Sequence, residues 1–310
     1  MAGRRFVIGI DGGGTKTTAL LVALDGTVMA ESVGGPANLL VAGMDSTVET
    51  LHILIYECCH KVGCPPEAIQ SIVLGLAGAG RATDRAELTD KLFAAGNKKR
   101  FPVKNITIET DAKIALEAAF AGGPGIVVIS GTGSIALYRT EDRQDLRVGG
   151  WGRILGDEGS GYSIARDALN AVMRQYDGRG EKTILTQKAL EHFSCSSVEE
   201  IIQRIYYQSA AIESFTPKVF EAVASHDNVA HKVILENASE LAEHVRVLVM
   251  KVPPKRKLPV SLMGGVVETD NPYSKMLAER IRGTLPQVVI QKPKFPAAYG
   301  AVIIGLNAFR

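Results

Sequence analysis

The sequence predicts an α/β protein made of two related domains, and three observations support this. The chain has 310 residues, about two domains at roughly 150 residues each. Short apolar runs rich in β-branched residues alternate with segments of helical periodicity, which is typical of α/β folds. A strand, a glycine turn and a second strand also occur twice, near residues 6–24 and near 126–139. This recurrence indicates an internal repeat.

The composition excludes several classes of protein. The chain is 46% hydrophobic and 22% charged, so it is neither disordered nor fibrous. Lys plus Arg (35) nearly balance Asp plus Glu (33), leaving a net charge of +2, so neither nucleic acid nor an anionic membrane is expected as a partner. The first apolar run, Phe6–Ile10, is too short for a signal-peptide core or a membrane span. We therefore expect a cytoplasmic protein.

The elements of the first half follow from periodicity and breakers. Asp25-Gly26 is a turn signal between two strands, and Cys64-Pro65-Pro66 ends a helix. Strands are predicted at 6–10, 17–24, 27–32, 71–76 and 105–109, and helices at 45–63, 83–95 and 112–121.

The second half begins with the repeated strand–turn–strand unit and continues with a long stretch that lacks glycine, 181–263. The basic run Lys255–Lys257 follows two prolines and is expected to be a solvated loop. Strands are predicted at 126–130, 135–139, 259–262 and 287–291, and helices at 163–175, 181–192, 197–213, 216–226, 229–250, 273–284 and 297–308.

Three consecutive glycines follow Asp11, and the residues after them are strand-like. The loop is not a Walker motif, because no Gly-Lys-Ser/Thr occurs, and it does not open a helix as a dinucleotide fingerprint does. A glycine hairpin can direct backbone N–H groups and the Thr15 and Thr17 hydroxyls at phosphate oxygens. Asp11 can hold Mg²⁺ directly or through water. An ordinary tight turn with a solvated aspartate is the alternative.

The segment Ser130–Ser134 has the same anatomy as the first glycine loop. Two such hairpins at the heads of two α/β halves suggest a nucleotide held between paired domains. The four cysteines form no CxxC pair and no HExxH occurs, so reduced thiols are expected and a Cys or His metal site is not.

Six motifs in this order resemble the sugar-kinase, actin and heat-shock ATPase superfamily, and most closely the N-acetylglucosamine kinase group and its BadF/BadG-type ATPase relatives. The resemblance covers essentially the whole chain. The motifs are Gly9–Thr17, Leu74–Gly78, Thr110–Ala112, Ser130–Ser134, Gly149–Gly161 and Met263–Val266, with Ala298–Ala301 resembling the terminal helix of that family.

The resemblance implies two ribonuclease-H-like (actin-like ATPase) domains around a nucleotide cleft, one formed by 1–114 plus 297–310 and the other by 115–296. It implies a homodimer that uses Mg-ATP to phosphorylate O6 of an amino sugar, N-acetylglucosamine or a close relative. Asp111 would be the general base. ATP would be bound by Asp11, Gly13, Gly14, Thr15, Lys16, Gly131, Thr132, Gly133, Gly264, Gly265 and Thr269. The sugar would be bound by Asn38, Asp111, Gly150, Trp151, Gly152 and Asp157, and Mg²⁺ by Asp11.

Some alternatives stay open at this stage. Asp111 immediately precedes a helix and can serve as its N-cap. Ile135 stands where animal N-acetylglucosamine kinases have asparagine, which leaves N-acetylglucosamine, glucosamine, N-acetylmuramic acid and glucose as acceptors. A dehydratase or reductase activator with a cysteine-bound iron–sulfur cluster and a non-enzymatic sugar sensor are the other functions considered.

Overall fold

A computed structural model describes residues 4–251 and 257–309. Lys255 and Arg256 of the predicted basic loop therefore lie outside the described residues. The strands are β1 Phe6–Gly12, β2 Thr17–Ala23, β3 Val28–Gly34, β4 Ile69–Leu76, β5 Ile106–Thr110, β6 Gly125–Ser130, β7 Ser134–Arg139, β8 Asp145–Gly149, β9 Leu258–Met263 and β10 Val288–Ile290. The helices are α1 Leu39–Ala42, α2 Met44–Val62, α3 Ala82–Lys98, α4 Asp111–Phe120, α5 Gly161–Tyr176, α6 Leu185–Phe193, α7 Val198–Tyr207, α8 Thr216–Ala224, α9 Asn228–Val249, α10 Pro272–Thr284 and α11 Ala297–Asn307.

The chain forms two compact units, and within the described residues each contains a five-stranded sheet. The order in the first sheet is β3-β2-β1-β4-β5, and in the second it is β8-β7-β6-β9-β10. In chain order, the first three strands of each sheet pair antiparallel with one another. The last two strands, β4 and β5 or β9 and β10, run parallel to the first strand, β1 or β6. The two sheets share one connectivity, which confirms the α/β class and the internal repeat.

The first sheet is covered by helices on both faces. Phe6, Ile8 and Ile10 of β1 belong to the buried cluster that includes side chains of α2 and α3. The intervening Val7 packs with α11 residues such as Val302. This alternation is the period of two expected of a strand buried on both sides. The second unit has one large core, to which α5, α6, α8, α9 and α10 all contribute.

The first unit comprises 1–124 and 292–310, and the second comprises 125–291. The sequence placed the first boundary at 114/115, inside α4. The structure keeps the whole of α4 with the first unit because α4 packs against α11. The contact is so close that a Cβ atom at Gly300 would overlap the carbonyl oxygen of Ile114.

Most predicted elements are present, with bounds shifted by a few residues, and β8 is the main addition. This strand, Asp145–Gly149, pairs only with β7 at the sheet edge, and its first four residues alternate between exposed and half-buried positions. A short edge strand with charged side chains lacks the apolar run by which strands are found in a sequence. The predicted helix 197–213 ends at Tyr207, and a 3₁₀ turn follows. No helix in the described residues is long and apolar enough to cross a membrane.

Candidate functional site

The first glycine loop is a hairpin, as predicted. Gly12 pairs with Thr17, which leaves 13–16 as the loop, and the Gly13 N–H donates to Lys16 O at 3.1 Å. Thr15 and Lys16 are exposed. Thr17 is buried and its hydroxyl donates to Gly35 O at 2.7 Å. The Thr17 hydroxyl therefore ties the hairpin to the chain after β3 rather than pointing at a ligand, contrary to the sequence interpretation.

Asp11 and Asp111 lie at the same edge of the first sheet. In the parallel register Asp11 is level with Gly75 and Gly75 with Glu109, so Asp111 follows the end of β5. With β4 between them, β1 and β5 are about 10 Å apart. Alternation along β1 directs Asp11 to the face that carries α4 and α11. The fold thus groups the two carboxylates near the start of α4.

Asp111 occupies the first position of α4. Its Oδ1 accepts a hydrogen bond from the Ala112 N–H at 2.9 Å. The N-cap is Thr110, whose Oγ1 accepts from the Lys113 N–H at 3.2 Å, so the interpretation of Asp111 as the cap is wrong. The half-buried carboxylate lies in the positive field of the helix N-terminus.

Asn38 is held beside the first hairpin by its neighbours in the chain. The Ala37 N–H donates to Gly13 O at 3.2 Å, and the Leu39 N–H donates to Ala77 O at 3.4 Å. A Cβ atom added at Gly14 would lie 3.9 Å from Asn38 Nδ2. The segment before α1 is therefore bonded both to the first hairpin and to the turn after β4.

The second unit repeats this arrangement at the second glycine hairpin. Ser130 pairs with Ser134, and the Gly131 N–H donates to Gly133 O at 2.9 Å. The Gly161 N–H, at the start of α5, donates to Gly131 O at 2.8 Å. The start of α5 is thereby joined directly to the loop 131–133.

The predicted adenosine motif adjoins this hairpin. The Val266 N–H donates to Ser130 O at 3.0 Å, as the Ala77 N–H donates to Gly12 O at 3.1 Å in the first unit. Thr269 is exposed, and its Oγ1 accepts from Asn271 Nδ2 at 2.8 Å. Because that asparagine caps α10, Thr269 is fixed close to a helix start.

The predicted ligand-binding glycines divide into two groups. Gly264 has φ +100° and a Cβ there would lie 2.5 Å from Ser130 O, so the fold requires glycine at this position. A Cβ at Gly14, Gly131 or Gly265 would meet no atom closer than 3.9 Å, and none of these residues has a left-handed backbone. The protein's own packing therefore does not require glycine at these three positions.

Asp157 joins the 149–161 segment to the second hairpin. A Cβ atom at Gly133 would lie 2.9 Å from its Oδ2. Burial raises the pKa of Asp157 above its usual value, and the nearby backbone N–H groups of Ser134 and Gly152 oppose this shift. The Ser134 hydroxyl donates to Glu158 O at 2.7 Å. The 149–161 segment is thereby joined to the second hairpin.

Trp151 is the most conspicuous side chain of that loop, with 64% of its surface exposed. The flanking Gly150 and Gly152 have φ of +71° and +82°, so the backbone turns sharply on either side of the ring. The Arg147 guanidinium lies over the indole, 4.3 Å from the ring centroid. The ring is thus oriented by a cation on one face, as expected for a stacking platform.

His244 in α9 supports the same loop and was not predicted. The histidine is buried, and a Cβ at Gly149 would lie 2.6 Å from its Cε1. Its Nε2 faces the buried Glu158 Oε2 at 3.6 Å. Burial lowers the pKa of His244 below its usual value. A single histidine inside an amphipathic helix gave no sequence signal for this role.

The predicted site residues therefore form one group in each unit. Asp11, Asn38 and Asp111 lie with the first hairpin, and Asp157 and Gly264 lie with the second. The cysteines belong to neither group: Cys58, Cys59 and Cys64 are buried in the core of the first unit, and Cys195 is half-buried in the second. Among the described residues no three His, Cys, Asp or Glu side chains are grouped so as to hold a metal ion.

Comparison with known proteins agrees with this architecture. A putative N-acetylglucosamine kinase from Chromobacterium violaceum superposes with a TM-score of 0.78 at 27% identity, covering 97% of this chain and 99% of that structure. The fold is therefore that of the two-domain actin-like ATPases. The chain belongs to the BadF/BadG/BcrA/BcrD ATPase family, whose model matches residues 8–305.

Two relatives align along nearly their whole length. An N-acetylmuramic acid/N-acetylglucosamine kinase of Clostridium acetobutylicum is 36% identical over 304 residues, which is 97% of this chain and 98% of the relative. An N-acetyl-D-glucosamine kinase of Dictyostelium discoideum is 29% identical over 98% of this chain and 99% of its own length.

Proposed function

We propose that this chain transfers the γ-phosphoryl group of ATP to O6 of an amino sugar, N-acetylglucosamine or a close relative. The chain is a sugar kinase, as its family and its full-length relatives indicate. What we propose is ATP as the phosphoryl donor, Asp111 as the base and O6 as the acceptor hydroxyl. The observation that carries them is the grouping of Asp11, Asn38 and Asp111 beside the first glycine hairpin.

Asp111 acts as the general base. It accepts the proton of the sugar hydroxyl while that oxygen attacks the γ-phosphorus. The new O–P bond forms as the bond from the γ-phosphorus to the β–γ bridging oxygen breaks, and ADP leaves with that electron pair. The Ala112 N–H at the start of α4 donates to Asp111 Oδ1 and so helps to orient the carboxylate.

Each glycine hairpin offers backbone N–H groups that can bind phosphate oxygens of ATP. Thr15, Lys16 and Thr132 are exposed and add a cation and two hydroxyls, while Gly264, Gly265 and Thr269 contribute to the adenosine site. A single carboxylate suits Mg²⁺, which commonly takes one or two carboxylates, phosphate oxygens and water. Asp11 would hold that ion, whose charge neutralises the phosphates.

The residues proposed to bind the sugar are Asn38, Asp111, Gly150, Trp151 and Gly152. The Trp151 ring offers an apolar face on which a pyranose ring can stack. The Asp157 carboxylate can accept a hydrogen bond from a sugar hydroxyl.

A coupled ADP-release assay with N-acetylglucosamine, glucosamine, N-acetylmuramic acid, mannosamine and glucose tests the activity. We expect stimulation by at least one amino sugar, and ³¹P–¹H NMR of the product should correlate phosphorus with the protons on C6. Asp111→Asn should lower kcat by about 10²–10⁴ with little change in the KM for ATP. Asp84→Asn, in the first turn of α3, is the matched control and should remain active.

Near-normal turnover by Asp111→Asn would contradict the assignment of the base. If none of the sugars stimulates ADP release, the proposed kinase reaction is contradicted. The dehydratase activator and the sugar sensor would then be the functions to test. A dehydratase activator would show visible absorbance from its cluster when purified anaerobically, and a sensor would bind sugar without releasing ADP. The homodimer and the cytoplasmic location remain predictions.

A further inference from the structure

Side chains from three elements of the second unit are hydrogen-bonded to the backbone of Gly159. Its carbonyl oxygen accepts from the Ser130 hydroxyl of β6 and from the Tyr273 hydroxyl of α10, both at 2.7 Å. Its N–H donates to Asn237 Oδ1 of α9 at 3.2 Å. Gly159 has φ +74°, and a Cβ atom there would lie 2.5 Å from the Tyr273 hydroxyl oxygen. The 149–161 segment is therefore held at this one residue by β6, α9 and α10.

Tyr273 reaches Gly159 from the core. The side chain is inaccessible to solvent, and its ring lies nearly parallel to that of Phe220, with 6.2 Å between the ring centroids. A buried hydroxyl is stable only when it is paired, and Gly159 O is its acceptor. Phenylalanine would supply the same ring, so the bond to Gly159 is what tyrosine adds at this position.

The start of α10 is bonded to the segment proposed to bind adenosine. Asn271 forms a capping box at this helix, and Tyr273 is the second residue of its first turn. From its Nδ2, Asn271 also donates to Val266 O at 2.7 Å and to Thr269 Oγ1 at 2.8 Å. A shift of the 264–269 segment is therefore passed to the first turn of α10 and to the Tyr273 hydroxyl.

Gly159 also lies close in the chain to the residues proposed to bind the sugar. Asp157 is two residues before it. The Gly156 N–H donates to Gly152 O at 2.8 Å, and a Cβ atom at Gly156 would lie 3.0 Å from Trp151 Cβ. Trp151 thus packs on backbone three residues away from Gly159, so a shift of Gly159 reaches the indole.

We propose that Tyr273 is a positioning residue that couples the nucleotide to the sugar-binding segment. When a nucleotide occupies the 264–269 segment, the Tyr273 hydroxyl holds Gly159 so that Trp151 and Asp157 take their sugar-binding positions. This inference rests on the proposed function, which assigns the two segments to their ligands, and adds a connection between them. The coupling is reciprocal, because a nucleotide that raises the affinity for sugar has its own affinity raised by sugar to the same extent.

Trp151 supplies the readout, because it is the single tryptophan of the chain. Its fluorescence and its quenching by acrylamide are measured with and without Mg²⁺ and a non-hydrolysable ATP analogue, whose binding is followed separately by calorimetry. We expect the analogue alone to change the quenching of Trp151 in the unmodified protein. It should also raise the affinity for N-acetylglucosamine by about fivefold or more.

Tyr273→Phe removes one hydroxyl, and Gly159 O keeps the Ser130 hydroxyl as a donor, so we expect this variant to fold. It should bind the analogue alone within about twofold of the unmodified protein, lose most of the Trp151 response, and show about a 2- to 10-fold smaller gain in sugar affinity. Asn271→Asp is a second variant, since it keeps the cap acceptor and removes the donor to Val266 O. At saturating analogue it should lose the Trp151 response in the same way.

Tyr176→Phe is the matched control, because it removes a phenolic hydroxyl that is bonded to Glu199 in the same unit. Its Trp151 response should be unchanged, and a loss equal to that of Tyr273→Phe would overturn the inference. A full response in Tyr273→Phe, or none in unmodified protein that binds the analogue, would also overturn it and leave the proposed function intact. A Trp151 response in a protein that no sugar stimulates would contradict the proposed reaction and support the coupling. Absence of analogue binding would overturn both.

Discussion

Gly131 and Gly264 lie close together in the second unit but are glycines for different reasons. Open space surrounds the Cβ position of Gly131, whereas at Gly264 the backbone is left-handed and Ser130 O lies 2.5 Å from the Cβ position. An added methyl group therefore has different consequences at the two residues. At Gly131 it would occupy the surface where we place phosphate, and at Gly264 it would collide with the protein itself.

We expect Gly131→Ala to keep the melting temperature and to raise the KM for ATP by about tenfold, the loss expected for about 1.4 kcal/mol of binding free energy. Gly264→Ala should instead lower the free energy of unfolding by about 1–3 kcal/mol. Thermal melting and steady-state kinetics on both variants separate these effects. An unchanged KM for ATP in Gly131→Ala would contradict the proposal that this hairpin binds a phosphate group of ATP.

The positions of individual site residues were predictable to different degrees. Asp11 and Asp111 follow from chain order, because the ends of neighbouring parallel strands share an edge. The hydroxyl of Thr17 was misjudged, since only the packed structure shows that Gly35 O is its acceptor. His244 could not be found, because its role depends on a contact with Gly149 that is remote in the sequence.

At the level of elements, α4 and α11 determine where Asp111 lies. Gly300 of α11 lies against the backbone of α4, and a Cβ there would overlap Ile114 O and lie 2.8 Å from the Ala118 nitrogen. Because both obstacles are backbone atoms, no side-chain rotation can relieve them. The packing of these helices thus couples the terminal helix to the start of α4.

Gly300→Ala should lower the free energy of unfolding by about 1–3 kcal/mol or more, measured by urea denaturation. It should also reduce kcat, since moving α4 displaces the Asp111 carboxylate. Gly283→Ala in α10 is the control, because its Cβ would meet nothing within 4 Å and alanine is the better helix former by about 1 kcal/mol. Equal stability of the two variants would contradict the close packing of α4 and α11.

Elements were predicted well where burial fixes the pattern and poorly where it does not. The strands β1, β4 and β6 are buried on both faces and are nearly continuous apolar runs. The edge strand β8 has the sequence DLRVG with exposed Asp145 and Arg147, so it resembles a loop until β7 is beside it. This missed strand also positions Arg147 under Trp151.

At the scale of the whole molecule, each of the two units has its own core and its own buried histidine. His52 packs in the first unit and His244 in the second, and both are nearly inaccessible. Burial lowers the pKa of each histidine below 6.5, even though Glu49 beside His52 and Glu158, Glu240 and Glu243 around His244 act in the opposite direction. Both histidines are therefore mainly neutral in the folded chain near neutral pH.

The lowered pKa values of the two histidines determine the direction in which the free energy of unfolding changes with pH. As pH falls below about 6.5, the histidines of the unfolded chain bind protons before those of the folded chain, so stability present above that pH is lost. Each histidine can contribute a slope of up to about 1.4 kcal/mol per pH unit until its folded-state pKa is reached. Hydrogen bonds lower the pKa values of Glu49, Glu221 and Glu243 below 4.5, so their effect belongs to more acidic solutions.

We expect the free energy of unfolding from urea titrations to be constant from pH 8 to about 7 and to fall between about pH 6.5 and 5. His244→Gln should flatten this decline by removing one of the two buried groups. His231→Gln, at an exposed position of the same helix α9, should leave it unchanged. Equal slopes for His244→Gln and the unmodified protein would show that His244 takes up its proton as readily in the folded chain as in the unfolded one, and that burial beside Glu158 does not keep it neutral.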